Sequence, residues 1–90
     1  MTPEQRQQIE TQINNDFVEL QKKLNDLKTE VQSESDASKK QEKQQTIQEM
    51  ETELASIQLL IDTLSSLQEQ DLQSLKERIE QTKQLYNETR

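Results

Sequence analysis

The chain has 90 residues, of which 28% are hydrophobic, 2% are aromatic and 32% are charged. So little apolar material excludes a globular core of several layers and leaves enough for a thin seam between helices within one domain. The formal net charge of -7 argues against a protein that clamps nucleic acid or an anionic membrane surface, because both tasks need Lys and Arg to neutralise phosphate.

Several kinds of chemistry are excluded by residue types that the chain lacks. Cys, His and Gly are absent, which removes disulfides, zinc fingers, imidazole bases and glycine-rich phosphate loops. Carboxylates are numerous, but paired-carboxylate catalysis needs a cleft that a two-helix seam does not offer. We therefore expect a protein that is not an enzyme and binds no cofactor or metal. Without a visible secretion signal or an apolar stretch that could span a bilayer, we expect a cytoplasmic protein with no membrane partner.

The first predicted helix covers about residues 3–33. Thr2 and Gln5 have the spacing of a capping box, and Pro3 suits the first helical position. Apolar residues then recur three or four positions apart and form a stripe roughly 80° wide at ~100° per residue, close to the narrow seam of a coiled coil. The stripe comprises Ile9, Ile13, Phe17, Leu20, Leu24, Leu27 and Val31.

A polar segment at residues 33–38, SESDAS, interrupts this stripe and predicts a turn. Ser and Asp favour turns and helix caps because their side chains compete for backbone hydrogen bonds. Ser35, Asp36 or Ser38 could cap a second helix. The alternative is one uninterrupted helix whose polar turn faces water.

The second predicted helix covers about residues 38–88. Its stripe comprises Ile47, Met50, Leu54, Ile57, Ile61 and Leu64, and after a slip at Gln68 it resumes with Leu72, Leu75, Ile79 and Tyr86. The slip is a four-residue stutter in the heptad pattern. No Pro or Gly marks a stop, so we predict that the helix continues through it.

The two stripes together predict an all-α fold, an antiparallel helical hairpin of the coiled-coil type. For a turn near residue 36, opposite positions have residue numbers with a nearly constant sum. Val31 then faces Ile47, and Leu24 faces Leu54. The long second helix overhangs from about Leu75, which favours association into a helical bundle. The alternative is a three-helix bundle with a break near residues 66–71, where Ser66 and Glu69 have capping-box spacing.

Apolar residues outside the hairpin seam, together with those on the overhang, predict a partner-binding surface. It comprises Val18, Leu59, Leu60, Leu67, Leu75, Ile79, Leu85 and Tyr86. For Val18 or Leu59 alone, an ordinary exposed apolar residue is the simpler interpretation. Taken together, they favour packing against another helix.

No basic residue lies between Lys43 and Lys76, which predicts an acidic strip on the second helix. It comprises Glu49, Glu51, Glu53, Asp62, Glu69 and Asp71. The simpler interpretation is a solvated helix face, and the more specific one is a docking strip for a basic partner.

These observations predict a non-enzymatic protein interaction module. The leading hypothesis is a small coiled-coil adaptor or chaperone-like complex subunit that binds a helical partner or itself. One alternative is an acidic inhibitor, or nucleic-acid mimic, that occupies a basic groove of another protein. Another is a structural filament or assembly component.

Overall fold

A computed structural model of the chain describes residues 1–87, and over that range the protein contains helices and short connections, without strands. The helices are α1 (Pro3–Ser33), α2 (Ala37–Asp62) and α3 (Glu69–Asn87), with a short 3₁₀ turn at Leu64–Ser66 between α2 and α3. The molecule is elongated, with extents of 51 × 18 × 16 Å. The all-α fold class is confirmed.

The start of α1 is fixed by local hydrogen bonds. The Gln5 N–H donates to the Thr2 Oγ1 at 3.2 Å, and the Thr2 N–H donates to the Gln5 Oε1 at 2.9 Å. This capping box satisfies donors that the first helical turn leaves without partners. Pro3 occupies the first helical position, where no backbone donor is needed.

The connection between α1 and α2 is a short extended segment that ends at a helix cap. The Asp36 Oδ1 accepts hydrogen bonds from the N–H groups of Ser38 and Lys39 at 2.9 and 3.1 Å. Glu34 has extended backbone angles, φ -75° and ψ 121°. The alternative of one uninterrupted helix is therefore wrong, and Asp36 is the capping residue.

Two ion pairs show that α1 and α2 run antiparallel. Lys28 contacts Glu51 at 3.1 Å, and Lys43 contacts Glu34 at 2.9 Å. Both fit, within about a residue, the register that places Val31 opposite Ile47. The buried residues of these helices are those of the apolar stripes: Ile13, Phe17, Leu20 and Leu24 on α1, and Ile47, Met50, Leu54 and Ile57 on α2.

The prediction that the second helix continues unbroken to about residue 88 is wrong. α2 ends at Asp62, and α3 starts at Glu69 after a connector that we define as residues 63–68. Leu67 in the connector is extended, with φ -69° and ψ 140°. The break lies close to the residues 66–71 of the alternative prediction, while the predicted helix end near residue 88 lies outside the described residues.

α3 folds back along α1 because this buries the apolar side chains that an overhanging helix would expose. Leu72 and Ile79 are 0% exposed, and Leu75 is 2% exposed. Each such side chain contributes about 1.5–3 kcal/mol when fully buried. The apolar stripe of α1 is narrow, but α1 can pack against α3 as well as α2 because polar residues that flank the stripe form ion pairs with α3. Lys83 contacts Asp16 at 3.0 Å on the side of α1 that faces α3.

α1 is the common partner of the other two helices. It packs along both α2 and α3, whereas α2 and α3 touch each other much less. The described polar contacts between α2 and α3 come from Arg78, which donates to the Glu53 Oε1 at 2.7 Å and to the Ser56 hydroxyl at 3.0 Å. α3 runs parallel to α1 and antiparallel to α2.

Candidate interaction site

The predicted partner-binding residues differ widely in burial. Leu75, Ile79 and Tyr86 are buried inside the chain, which corrects the expectation that they lie on an overhang without a mate. Leu60 and Leu67 are half-buried and pack against the same core. The exposed members are Val18 at 60%, Leu59 at 71% and Leu85 at 59%.

The exposed apolar residues are not brought together into one surface. At ~100° per residue, Leu59 points nearly opposite to the buried stripe of α2. Val18 points away from the stripe of α1, on the side nearer α2. Leu60 lies on the other side of α2, with Ser56, facing α3. Val18 and Leu60 are level along the bundle axis, but they occupy different faces.

The acidic strip is partly neutralised within the chain. Glu51 contacts Lys28, and Glu53 contacts Arg78 at 2.7 Å. Glu69 contacts the amino terminus at 3.4 Å. Glu49 and Asp62 accept hydrogen bonds from glutamines one turn earlier in α2, and Asp71 lies exposed in the first turn of α3. Three of the six carboxylates therefore have a basic partner and do not form an uncompensated surface.

A groove that the sequence did not reveal lies at the end of the bundle formed by the α1–α2 turn. The described part of α3 is shorter than α1, with 19 residues against 31, or about 28 Å against 46 Å at ~1.5 Å per residue. Within residues 1–87, no part of α3 lies beside the last turns of α1. We call the resulting groove of ≈ 880 Å³ the open groove, and it is lined by Lys23, Asp26, Leu27, Glu30, Lys39, Glu42, Lys43, Thr46 and Tyr86.

The open groove continues the surface on which α3 packs. Closer to the amino terminus, Gln12 contacts α3 through Glu80 at 3.5 Å, and Glu19 contacts α3 through Lys83 at 2.9 Å. Lys23 follows Glu19 by one turn on the same face of α1. A helix in the open groove would therefore extend the path that α3 already follows.

Tyr86 closes the inner end of the open groove. The side chain is buried, with the residue 7% exposed. Burial, reinforced by the nearby carboxylates of Glu49 and Glu53, raises the pKa of its phenol. Together with the half-buried Leu27, the tyrosine supplies the apolar part of a groove whose walls are otherwise charged.

The charges on the groove walls differ in how they are satisfied. The Lys43 ammonium donates to the Glu34 carboxylate at 2.9 Å, which lowers the pKa of Glu34 and raises that of Lys43. By contrast, five groups form no contact of ion-pair length within residues 1–87: Lys23, Asp26, Glu30, Lys39 and Glu42. Of these, Lys39 still helps to lower the pKa of Glu34, and Glu30 helps to raise that of Lys43, by charge interactions at longer range. Both signs of charge are thus available to a partner.

The sequence contained part of the signal for this groove. On α1, Lys23, Leu27 and Glu30 have the three- and four-residue spacing of one helix face, as do Lys39, Lys43 and Thr46 on α2. The spacing can be interpreted only once α3 is known to fold back along α1 and its described residues are known to end before the α1–α2 turn. Within the described residues, no group of acids converges as a metal site, and no helix is long and apolar enough to cross a membrane.

Comparisons with known proteins do not assign this chain to a group. No protein-family model, no curated protein and no solved structure matches it.

Proposed function

We propose that the protein is a non-enzymatic interaction module that binds a helix of a partner protein in the open groove. The observation that carries this proposal is that, within residues 1–87, α1 and α2 continue beyond the described end of α3 and form the charged walls of the groove. Amphipathic helices bind in such grooves through residues at three- and four-residue spacing. Coiled-coil packing of α1 against α2 is part of the same proposal.

The groove chemistry specifies the partner helix. An apolar stripe would cover Leu27 and the ring of Tyr86. Basic residues on its flanks would pair with Glu30 and Glu42, and an acidic residue would pair with Lys39, because these three groups form no ion pair within residues 1–87. From Lys23 to Ser33 the groove accommodates about three turns, or ~15 Å of helix.

The small size of the groove favours a reversible complex. Three turns of helix bury less than the ~1,200–2,000 Å² that is typical of stable interfaces. Opposite charges on the groove walls would then contribute mainly to partner choice and to the association rate. An adaptor that exchanges partners fits this combination better than a permanent subunit.

Site-specific photo-crosslinking in an extract of the native host tests the proposal. A photoreactive amino acid at Glu30 lies in the groove, whereas the same group at Glu77 lies on the exposed face of α3 and is the control. We expect one partner to be captured from Glu30 only, with the crosslinked peptide falling in an amphipathic helix. That partner is then purified and its affinity measured directly.

Charge reversal makes this test quantitative. Glu30→Lys should weaken binding of the purified partner at low salt, whereas Glu77→Lys, with the same change in net charge, should leave it unchanged. Equal effects of the two variants, or crosslinks of the same kind from both positions, would contradict a specific groove. The acidic-inhibitor and filament hypotheses gain no comparable support, since Glu51, Glu53 and Glu69 are already in ion pairs.

A further inference from the structure

Nothing in the covalent structure of the connector requires it to bend. Residues 63–68, TLSSLQ, contain neither Gly nor Pro. No non-glycine residue of the described backbone has a positive φ, so the connector stores no left-handed strain. Thr63 and Leu67 depart from helical backbone angles, at φ -111° and ψ 21° and at φ -69° and ψ 140°. Rotation at a few bonds would make the connector helical.

The bend is instead held by a side chain from the other end of the chain. The Arg6 Nη2 donates to the carbonyl oxygens of Leu67 at 2.7 Å, Leu64 at 3.1 Å and Ser65 at 3.5 Å. The Leu64 carbonyl also accepts the Leu67 N–H at 3.2 Å in the 3₁₀ turn, whereas the carbonyls of Ser65 and Leu67 accept no backbone hydrogen bond within residues 1–87. Bonds from a charged donor are the stronger kind of hydrogen bond. In a continuous helix, the carbonyls of Leu64 and Ser65 would be satisfied internally.

Local capping contributes little at the same place. No side-chain hydrogen bond caps the 3₁₀ turn. For α3, none of the side-chain hydrogen bonds within residues 1–87 reaches its first turn, and the spacing of Ser66 and Glu69 does not produce a capping box. The first turn of α3 therefore lacks a side-chain cap, although its Glu69 contacts the amino terminus at 3.4 Å.

α3 from a second copy of the chain could pack on the same surface of α1 and α2 that α3 covers within one chain. Leu72 and Ile79 are fully buried, and α3 packs mainly against α1. The ion pairs of Lys83 with α1 and of Arg78 with α2 would form equally with an α3 from another molecule. The contacts that would have to change are those of the connector.

We propose that α3 is exchanged between two copies of this chain. In the exchanged dimer, residues 63–68 become helical, α2 and α3 join into one helix, and each α3 packs on the α1 of the other copy. The exchange is reciprocal, so the dimer closes on itself and leaves no unsatisfied apolar surface. Arg6 is the positioning residue that favours the monomer, because its hydrogen bonds exist only when the connector is bent.

Three variants separate the connector from the rest of the molecule. Ser65→Ala/Ser66→Ala raises helix propensity at two exposed positions of the connector. Ser38→Ala/Ser74→Ala is the matched control, because both of its sites are helical in monomer and dimer alike. Arg6→Ala removes the bond donor. Glu69→Pro places proline at the first position of α3, where it is tolerated in the monomer, but it breaks a continuous helix.

Two measurements report on exchange. Sedimentation equilibrium gives the dimer dissociation constant, and spin labels at the exposed Gln48 and Gln84 give the intrachain distance between α2 and α3. Labelled chains are diluted with unlabelled ones before the dimer is formed, so that only intrachain distances count. In the monomer the two helices lie about 10 Å apart, axis to axis. In the exchanged dimer, the labels lie on one helix about 54 Å apart at ~1.5 Å per residue.

We expect Arg6→Ala and the connector double variant each to lower the dimer dissociation constant at least about tenfold relative to wild type. The dimer should show the long distance, the control variant should behave as wild type, and adding Glu69→Pro to either variant should restore the monomer. A dimer that retains the short distance would overturn the proposal. A connector double variant that folds and stays as monomeric as its control would also overturn the proposal. Because this variant keeps Arg6, it provides a test even if Arg6→Ala does not fold.

Discussion

Replacing one buried residue of α3 tests the three-helix packing directly. Ile79 is 0% exposed and packs in the core shared with α1, whereas Leu59 on α2 is 71% exposed. Truncation of a fully buried Ile to Ala costs about 2–5 kcal/mol. A domain of this size has a total stability of about 5–13 kcal/mol at ~0.05–0.15 kcal/mol per residue. Ile79→Ala should therefore remove a large part of the stability, and Leu59→Ala should change it by less than about 0.5 kcal/mol.

Urea unfolding followed by circular dichroism at 222 nm measures both changes. The midpoint should fall clearly for Ile79→Ala, and its thermal midpoint should drop by roughly 8–40 °C, given about 4–8 °C per kcal/mol for a small domain. Wild type is measured at two concentrations to exclude a contribution from association. If Ile79→Ala matched Leu59→Ala at concentrations where the chain is monomeric, α3 would not be packed on α1, and the reasoning would fail.

Three further predictions concern Tyr86, Glu34 and Thr2. The phenol of Tyr86, the one tyrosine of the chain, should titrate above its ordinary pKa of about 10 in ultraviolet absorbance, because burial disfavours its charged form. Since that pKa is raised in the folded state, its contribution to stability should be complete below the ordinary pKa and be lost as the pH rises through the folded value; a pH-independent unfolding midpoint across that range would contradict this. Lys43→Gln should raise the pKa of Glu34 toward its usual range in an NMR titration, because the Lys43 hydrogen bond is the largest cause of its lowering. Thr2→Ala should reduce the free energy of unfolding by about 1 kcal/mol through loss of the capping box; no change in the urea midpoint would show that the first turn frays in solution.

The local features of the fold were predictable because they depend on neighbouring residues. The capping box needs Thr2 and Gln5 alone, and the cap at Asp36 needs two backbone donors next to it in sequence. The apolar stripes of α1 and the first half of α2 were predictable for the same reason, since helix periodicity places such residues on one face. Their register followed from the position of the turn.

The break after α2 was predicted only as the alternative, because the contact that stabilises it is remote in sequence. Arg6 stabilises the connector through carbonyls 58 to 61 residues away, and no local spacing reports that contact. The same four-residue slip near Gln68 is compatible with a continuous helix and with a bend. The buried side of α3 was correctly recognised as apolar, but its partner was taken to be another molecule rather than α1.

The open groove was missed for a related reason. Its walls carry an ordinary mixture of Lys and Glu, which on a helix surface is typical of a solvated face. It becomes a candidate site because the described part of α3 covers less of the bundle than α1 and α2 do, and this can be seen only once the fold-back is known. Leu27 was assigned to the seam with α2, although it also lines the groove.

The central place of α1 has a consequence for how the native state opens. Because α2 and α3 share few contacts, α3 can detach while α1 and α2 stay paired. Detachment of α1, by contrast, would unfold the whole domain. Amide hydrogen exchange should therefore report two cooperative units, with α3 protected by less free energy than α1 and α2. The molecule would spend a small fraction of its time as a pair of helices with a tethered third segment.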